Sequence, residues 1–189
     1  MTQSPIRVGI IGAGYIASWH ADALRAVKDA DLACICDVSK DAAQGLADAY
    51  GVPAFGSVEE LIAAKTCDAV HVLTPPDFHK DIALQCLEAG LHCLVEKPVA
   101  LSAQDTKAMA EAAEKNGVRF AAGHNFLGLP AYRRLKAAKE AGKIGRVSAV
   151  EINWCFPLAP LRSGPYGIWL LREAKNLLLE LGPHPFSFA

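Results

Sequence analysis

At 189 residues the chain has room for one domain of ordinary size and part of another. With 52% apolar and 21% charged residues and a net charge of -1, it reads as a soluble globular protein with no electrostatic case for binding nucleic acid or a membrane surface. No apolar run approaches the length of a membrane span, and Met1 to Pro5 lead directly into the first predicted strand with no room for a signal peptide, so the expected location is cytoplasmic.

The first predicted element is an apolar strand, Ile6 to Ile11, that stops at Gly12-Ala13-Gly14. A helical pattern follows at once through Ile16, Trp19, His20, Ala23, Leu24 and Val27. A strand turning sharply into a helix over glycines is the geometry that binds a dinucleotide. Gly12 permits the turn, Gly14 lets the backbone approach a pyrophosphate, and Ala17 is the small residue that lets helix and strand pack closely. The diphosphate would rest on the unpaired N–H groups of the helix N-terminus, beside Tyr15 and Ile16. Such a motif alone also fits an ordinary strand-to-helix turn; what raises it is the next strand, Leu32 to Cys36, which ends in Asp37 about 20 residues on. A carboxylate there accepts hydrogen bonds from an adenosine ribose and repels a 2'-phosphate. NAD is therefore the expected cofactor, with NADP as the alternative because Ser39 and Lys40 follow.

A helix is predicted from about Asp41 to Tyr50, ended by Gly51 and Pro53, and then a short edge strand at Ala54-Phe55. Ser57 and Glu60 form a capping box for the next helix. Ala69 to Leu73 is a strand that ends in Thr74-Pro75-Pro76, a loop over the crevice where open parallel sheets bind ligands. A helix to Ala89 and a strand from Leu91 to Val95 follow, the strand ending in Glu96-Lys97-Pro98. Ser102 caps a helix to Asn116, and Val118 to Ala122 is the sixth strand. Alternation of this kind predicts an α/β fold with a doubly wound parallel sheet, a Rossmann domain over residues 1–122.

Beyond Gly123 the rhythm changes. A helix is expected from about Pro130 to Ala141, a strand from Arg146 to Phe156, and helices from Ile168 to Ala174 and from Leu177 onward. Only 67 residues follow Ala122 (189 minus 122), and they offer one strand without an evident partner. Residues 123–189 are therefore expected to be the beginning of an incomplete α+β domain, or else to have the edge of that strand covered by another subunit.

Lys97 is the first catalytic candidate. It is held between a carboxylate and a proline at the carboxyl end of a central strand, where partial burial would suit it to exchanging a proton with a substrate hydroxyl; a surface lysine paired with Glu96 is the plainer alternative. His184 is the second: if its stretch is helical, Glu180 lies one turn before it and can orient and charge the imidazole. Pro183 and Pro185 weigh against the helix. His79 either borders the cofactor or packs between helix and sheet, and His20, His71, His92 and His124 read as structural. Of the six cysteines none sits in a zinc-type C-x-x-C pair; Cys34 and Cys36 suit buried thiols, and no metal is expected.

Taken together, Gly12-Ala13-Gly14-Tyr15-Ile16-Ala17, Thr74-Pro75-Pro76-Asp77-Phe78-His79, Glu96-Lys97-Pro98, Lys143-Ile144-Gly145-Arg146-Val147 and Glu180-Leu181-Gly182-Pro183-His184 resemble the Gfo/Idh/MocA family, named for glucose-fructose oxidoreductase and inositol dehydrogenase. The resemblance implies a Rossmann domain followed by an open, mostly antiparallel α/β domain. It also implies NAD(P)-dependent oxidation or reduction of a hydroxyl on a sugar, nucleotide-sugar or cyclitol. It carries proton handling onto Lys97 and His184, with Glu180 where the family usually has Asp, and cofactor contact onto the glycine turn, Asp37, Thr74, Pro75, His79, Glu96, Lys97 and Asn125. Two departures stand out. Ala174-Lys175-Asn176 replaces a glycine run common in the family, and the chain stops soon after His184, where the family's sheet domain continues. That sheet often forms an oligomer face, so a homo-oligomer is expected where it is complete. The rival reading is a non-catalytic dinucleotide-binding module; a methyltransferase-like Rossmann domain would leave Lys97 and His184 without a task.

Overall fold

The computed structural model describes residues 4–155, 157 and 167–188, and divides into two compact units, Met1–Gly123 and His124–Ala189. The first is built on six strands: β1 (Ile6–Ile11), β2 (Ala30–Cys36), β3 (Ala54–Phe55), β4 (Ala69–Val72), β5 (His92–Val95) and β6 (Phe120–Ala122). All run parallel, in the order β3-β2-β1-β4-β5-β6. This is the doubly wound Rossmann arrangement, with the chain reversing its direction of strand addition between β1 and β4.

Alternation along the strands builds two cores. Val8, Ile10 and Ile35 face α1 (Ala17–Ala26) and α2 (Lys40–Tyr50), packing with Ala17, Ala21, Leu24, Ala43 and Ala47. Ile11, Cys34, Val70, Val72, Cys93 and Val95 face the other way. There they meet Leu61 of α3 (Val58–Ala64), Leu87 of α4 (His79–Glu88) and Met109 of α5 (Ala103–Lys115). His71, between Val70 and Val72, is turned by the same alternation to the α1 face. Cys34, Cys36, Cys67, Cys86 and Cys93 are buried as free thiols.

The predicted stops and caps hold the helices. Gly51 ends α2 with φ 70°, and Ser57 accepts the N–H of Glu60 at the start of α3. Glu60 turns back one residue further than a capping box requires, accepting the N–H of Gly56 at 2.9 Å. At α5 the Ser102 hydroxyl accepts from Asp105 N and donates to its carboxylate at 2.7 Å.

Among the described residues the second unit holds a 3₁₀ turn (Asn125–Gly128), α6 (Pro130–Glu140), α7 (Trp169–Arg172), α8 (Ala174–Leu181) and α9 (Pro183–Phe186). The strand expected from Arg146 is not formed: residues 147–155 pair with no ladder among the described residues, and Phe156 lies outside them. An alternating pattern makes a strand only where a neighbouring backbone accepts its hydrogen bonds.

Ser102→Ala removes both cap bonds of α5 and is expected to lower unfolding free energy by about 1 kcal/mol. A urea titration should show a lower midpoint at unchanged slope.

Candidate functional site: the carboxyl edge of the Rossmann sheet

The first turn is held by backbone contact. Gly12 has φ +101°, and a Cβ there would lie 2.8 Å from Leu73 C and Thr74 N, so the end of β1 abuts the end of β4 with no room for a side chain. Gly12 N–H donates to Cys36 O at 2.8 Å. Asp37 ties the same turn to β2: one carboxylate oxygen accepts Ala13 N–H at 2.7 Å and the other accepts Ser39 N–H at 2.8 Å. Each oxygen keeps a lone pair for a further donor.

Beyond the turn the site opens. Nothing lies within 4 Å of a Cβ built on Gly14, Tyr15 is exposed, Ile16 is half-buried, and no side chain caps the N-terminus of α1. Uncapped N–H groups and the positive end of the helix dipole thus face open space, a setting that suits an anionic diphosphate. At the end of β4 the hydroxyl of Thr74 is buried without a hydrogen-bond partner, and Pro75 beside it is exposed. A buried orphan hydroxyl costs about 1–3 kcal/mol unless something polar meets it. The open glycine turn, the Asp37 side chain with its free lone pairs and the orphaned Thr74 together fit a dinucleotide.

The third part of the edge is the end of β5. Glu96 accepts the N–H of Lys97 at 2.8 Å, the Lys97–Pro98 bond is cis, and Lys97 is half-buried. Gly123 makes room for the carboxylate, since a Cβ there would sit 3.0 Å from Glu96 Oε1. The same oxygen lies 3.2 Å from His20 Nε2, and His20 Nδ1 lies 3.0 Å from His71 Nδ1. Burial pushes the Glu96 pKa up, but the His20 contact and the Lys97 N–H outweigh it and leave the carboxyl below its ordinary value. His20 and His71 are thus not merely packing residues, as their lack of nearby acidic residues in sequence suggests. Their signal lay in two periodicities. His20 is three residues after buried Ala17 and four before buried Leu24, and His71 is out of phase with Val70 and Val72, so both face the α1 side of the sheet.

Of the two roles open to His79, the structure gives it the packing one. It is 1% exposed, with its ring nitrogens 2.6 Å from Thr74 O and 3.0 Å from Pro98 O, which leaves no ring nitrogen for a ligand. It ties the loop after β4 to the loop after β5.

In the second unit Asn125 is exposed at the start of its 3₁₀ turn. His184 stacks on Trp154, with centroids 5.4 Å apart and planes at 16°, and meets Phe126 edge-on at 4.7 Å. Gly182 keeps helical dihedrals (φ -56°, ψ -40°), so Glu180 and His184 stay one turn apart on continuing backbone despite the two prolines. Gly12, Gly14, Asp37, Thr74, Glu96 and Lys97 therefore share one edge of the first unit, while Asn125, Glu180 and His184 belong to the second.

The first unit is a dinucleotide-type Rossmann unit by its strand order and its turn. Residues 6–124 match the oxidoreductase family with an NAD-binding Rossmann fold (GFO_IDH_MocA), and the chain belongs to that family. It is 34% identical over 148 residues to glucose-6-phosphate 3-dehydrogenase of Bacillus subtilis, covering 78% of this chain and 42% of that one. It is 30% identical over 185 residues to myo-inositol 2-dehydrogenase of Thermotoga maritima, covering 97% and 54%. In structure it resembles the WlbA dehydrogenase of Bordetella pertussis, solved with NADH and UDP-GlcNAcA, at a TM-score of 0.72 and 32% identity over 77% of this chain and 42% of that one. The chain spans about half the length of these relatives. No helix among the described residues is long and apolar enough to cross a membrane.

Burial, with smaller help from His20, depresses the His71 pKa to about 4, against Glu96, which raises it. An unfolded histidine titrates near about 6.5. Between these values the unfolded chain holds a proton that the native chain does not, so stability falls as pH drops through the window and is recovered above it, at no more than about 1.4 kcal/mol per pH unit from this group. His71→Leu should flatten that slope when urea midpoints are compared across the window.

Proposed function

We propose that the chain is the cofactor-binding part of an NAD(P)-dependent oxidoreductase acting on a secondary hydroxyl of a sugar, nucleotide-sugar or cyclitol. The observation that carries the reading is the first turn: Gly12 packed on β4, Asp37 bonded to Ala13 and an open, uncapped helix N-terminus. Gly12, Gly14, Tyr15 and Ile16 would hold the diphosphate, Asp37 the adenosine ribose, and Thr74, Pro75, Glu96, Lys97 and Asn125 the remainder of NAD. When bound, the nicotinamide supplies the hydride chemistry. Lys97, with its backbone fixed by Glu96, exchanges a proton with the substrate hydroxyl, and His184, preceded by Glu180, assists it. Names of the relatives support the substrate class: the Bacillus and Thermotoga enzymes are named for a sugar phosphate and a cyclitol.

NAD is preferred to NADP in this reading. Asp37 presents a carboxylate where a 2'-phosphate would lie, and the two residues that argued for a phosphate follow it at the start of α2. The Ser39 hydroxyl accepts Ala42 N–H at the start of α2, and the Lys40 stem lies over Gly56. Residues 1–122 serve as the cofactor domain and 123–189 as the beginning of a substrate domain, whose completed sheet would supply a homo-oligomer face.

Fluorescence titration of the 189-residue chain should show NADH binding at least about tenfold tighter than NADPH, a difference of about 1.4 kcal/mol. With a panel of sugars and cyclitols, Lys97→Met should leave NADH affinity nearly unchanged and lower turnover by at least about a hundredfold. NADH binding with no turnover on any of them would reduce the chain to a binding module, and no NADH binding would overturn the reading of the first turn.

A further inference from the structure

The carboxyl edge carries a line of three titratable groups, of which His20 and His71 have no part in the cofactor contacts proposed above. His20 comes from α1, His71 from β4 and Glu96 from the end of β5; the His20 and Glu96 side chains are only 17% and 14% exposed. The two imidazoles meet edge to face, Nδ1 to Nδ1, at 3.0 Å. At that distance one nitrogen must carry a hydrogen and the other must not, so the junction holds one proton. The far side of His20 faces a carboxylate oxygen, which accepts, so His20 Nε2 is a donor. The neutral arrangement is then fixed: His71 Nδ1–H donates to His20 Nδ1, and His20 Nε2–H donates to Glu96.

We propose that His20, His71 and Glu96 form a one-proton relay whose charge state governs how firmly Glu96 holds the backbone of Lys97. A proton from solvent enters at His71 Nε2, and the His71 Nδ1 proton crosses to His20 Nδ1. The product is an imidazolium at His20 that donates to Glu96 on one side and to His71 on the other. Every hydrogen bond survives with its direction reversed at one junction, no side chain moves, and the charge added is that of a single proton. His71 stays the neutral partner because burial opposes its own charge down to about pH 4. The cation is thereby placed against the carboxylate whose other oxygen accepts Lys97 N–H at 2.8 Å. The groups facing Glu96 are His20, Lys97 and, from α4, His79; those facing His71 are His20 and Glu96. His20 and His71 are positioning residues acting through Glu96. The relay stands on the geometry of the first unit, and only its service to a proton-handling Lys97 rests on the function proposed above.

The test is long-range proton–nitrogen NMR of the histidine rings in the 15N-labelled 189-residue chain, between about pH 5 and about pH 8. At the upper end His71 should be the Nδ1–H tautomer and His20 the Nε2–H tautomer. On acidification the pair should take up one proton with one shared midpoint, His71 should switch to Nε2–H, and the Lys97 backbone amide should shift with that midpoint. His20→Gln keeps a donor for Glu96 but takes up no proton, so the Lys97 amide should lose the transition. His71→Leu, a second variant with circular dichroism as the check of fold, removes the partner at the junction, and the shared transition should be lost. A His71 Nε2–H tautomer at the upper end, two independent midpoints, or a Lys97 transition that persists in His20→Gln overturns the proposal. NADH binding by the same samples reports separately on the cofactor reading, since its loss would leave the ring tautomers unchanged.

Discussion

The contact on which the first unit depends is the one between Gly12 and the end of β4. A parallel sheet with a switch point leaves a crevice where neighbouring connections depart to opposite faces, and a nucleotide can lie in it only if the first turn stays low. Gly12 keeps it low: its α carbon sits so close to Leu73 and Thr74 that a single methyl group would meet their backbone at 2.8 Å. Asp37 secures the same turn from β2 by accepting Ala13 N–H, so β1, β2 and β4 are locked at their carboxyl ends before any ligand arrives. Preorganisation of this kind lowers the ordering cost of binding.

Much of this was legible in the sequence because a strand covered on both faces is apolar along most of its length. Ile6 to Ile11, Leu32 to Cys36 and Leu91 to Val95 read as strands for that reason, and Gly51 and Ser102 marked helix ends through local chemistry. What sequence could not supply were pairings between distant residues. The alternation from Arg146 onward looks like a strand, yet residues 147–155 find no ladder partner among those described. His20 and Glu96, 76 residues apart, have no local signature at all. Asking which residues at the switch point face α1 would have brought His71 and His20 together. Asking which have acidic neighbours in sequence set both aside.

Glu96 shows how a buried charge is made tolerable at this edge. Removing a carboxylate from water is costly unless donors replace the lost hydration. Here the replacement comes from His20 and the N–H of Lys97, and Gly123 supplies the space. Together they more than offset burial, which is why the carboxyl stays below its ordinary pKa. The residue that fixes Lys97 is therefore itself fixed from α1, the first helix after the cofactor turn. The same helix that presents its N-terminus to open space supports, one turn later, the residue beside the candidate proton donor.

His79 completes this coupling from the other core. Its buried ring lies against the carbonyls of Thr74 and Pro98, so the loops after β4 and β5 cannot shift independently without stranding a polar ring in an apolar layer. Thr74, with its unpartnered hydroxyl, and Lys97, held through Glu96, are thus parts of one wall rather than two loops. His184 is organised by different means: flat against Trp154 and edge-on to Phe126, it is set by aromatic packing in a unit of its own. A lysine whose backbone is held by a hydrogen-bonded carboxylate keeps that hold only while the carboxylate stays ionised, whereas the ring contacts of His184 with Trp154 and Phe126 are made by aromatic faces and edges. The two candidate proton carriers are therefore positioned by different means, Lys97 through a carboxylate anchored on α1 and His184 through aromatic neighbours within its own unit.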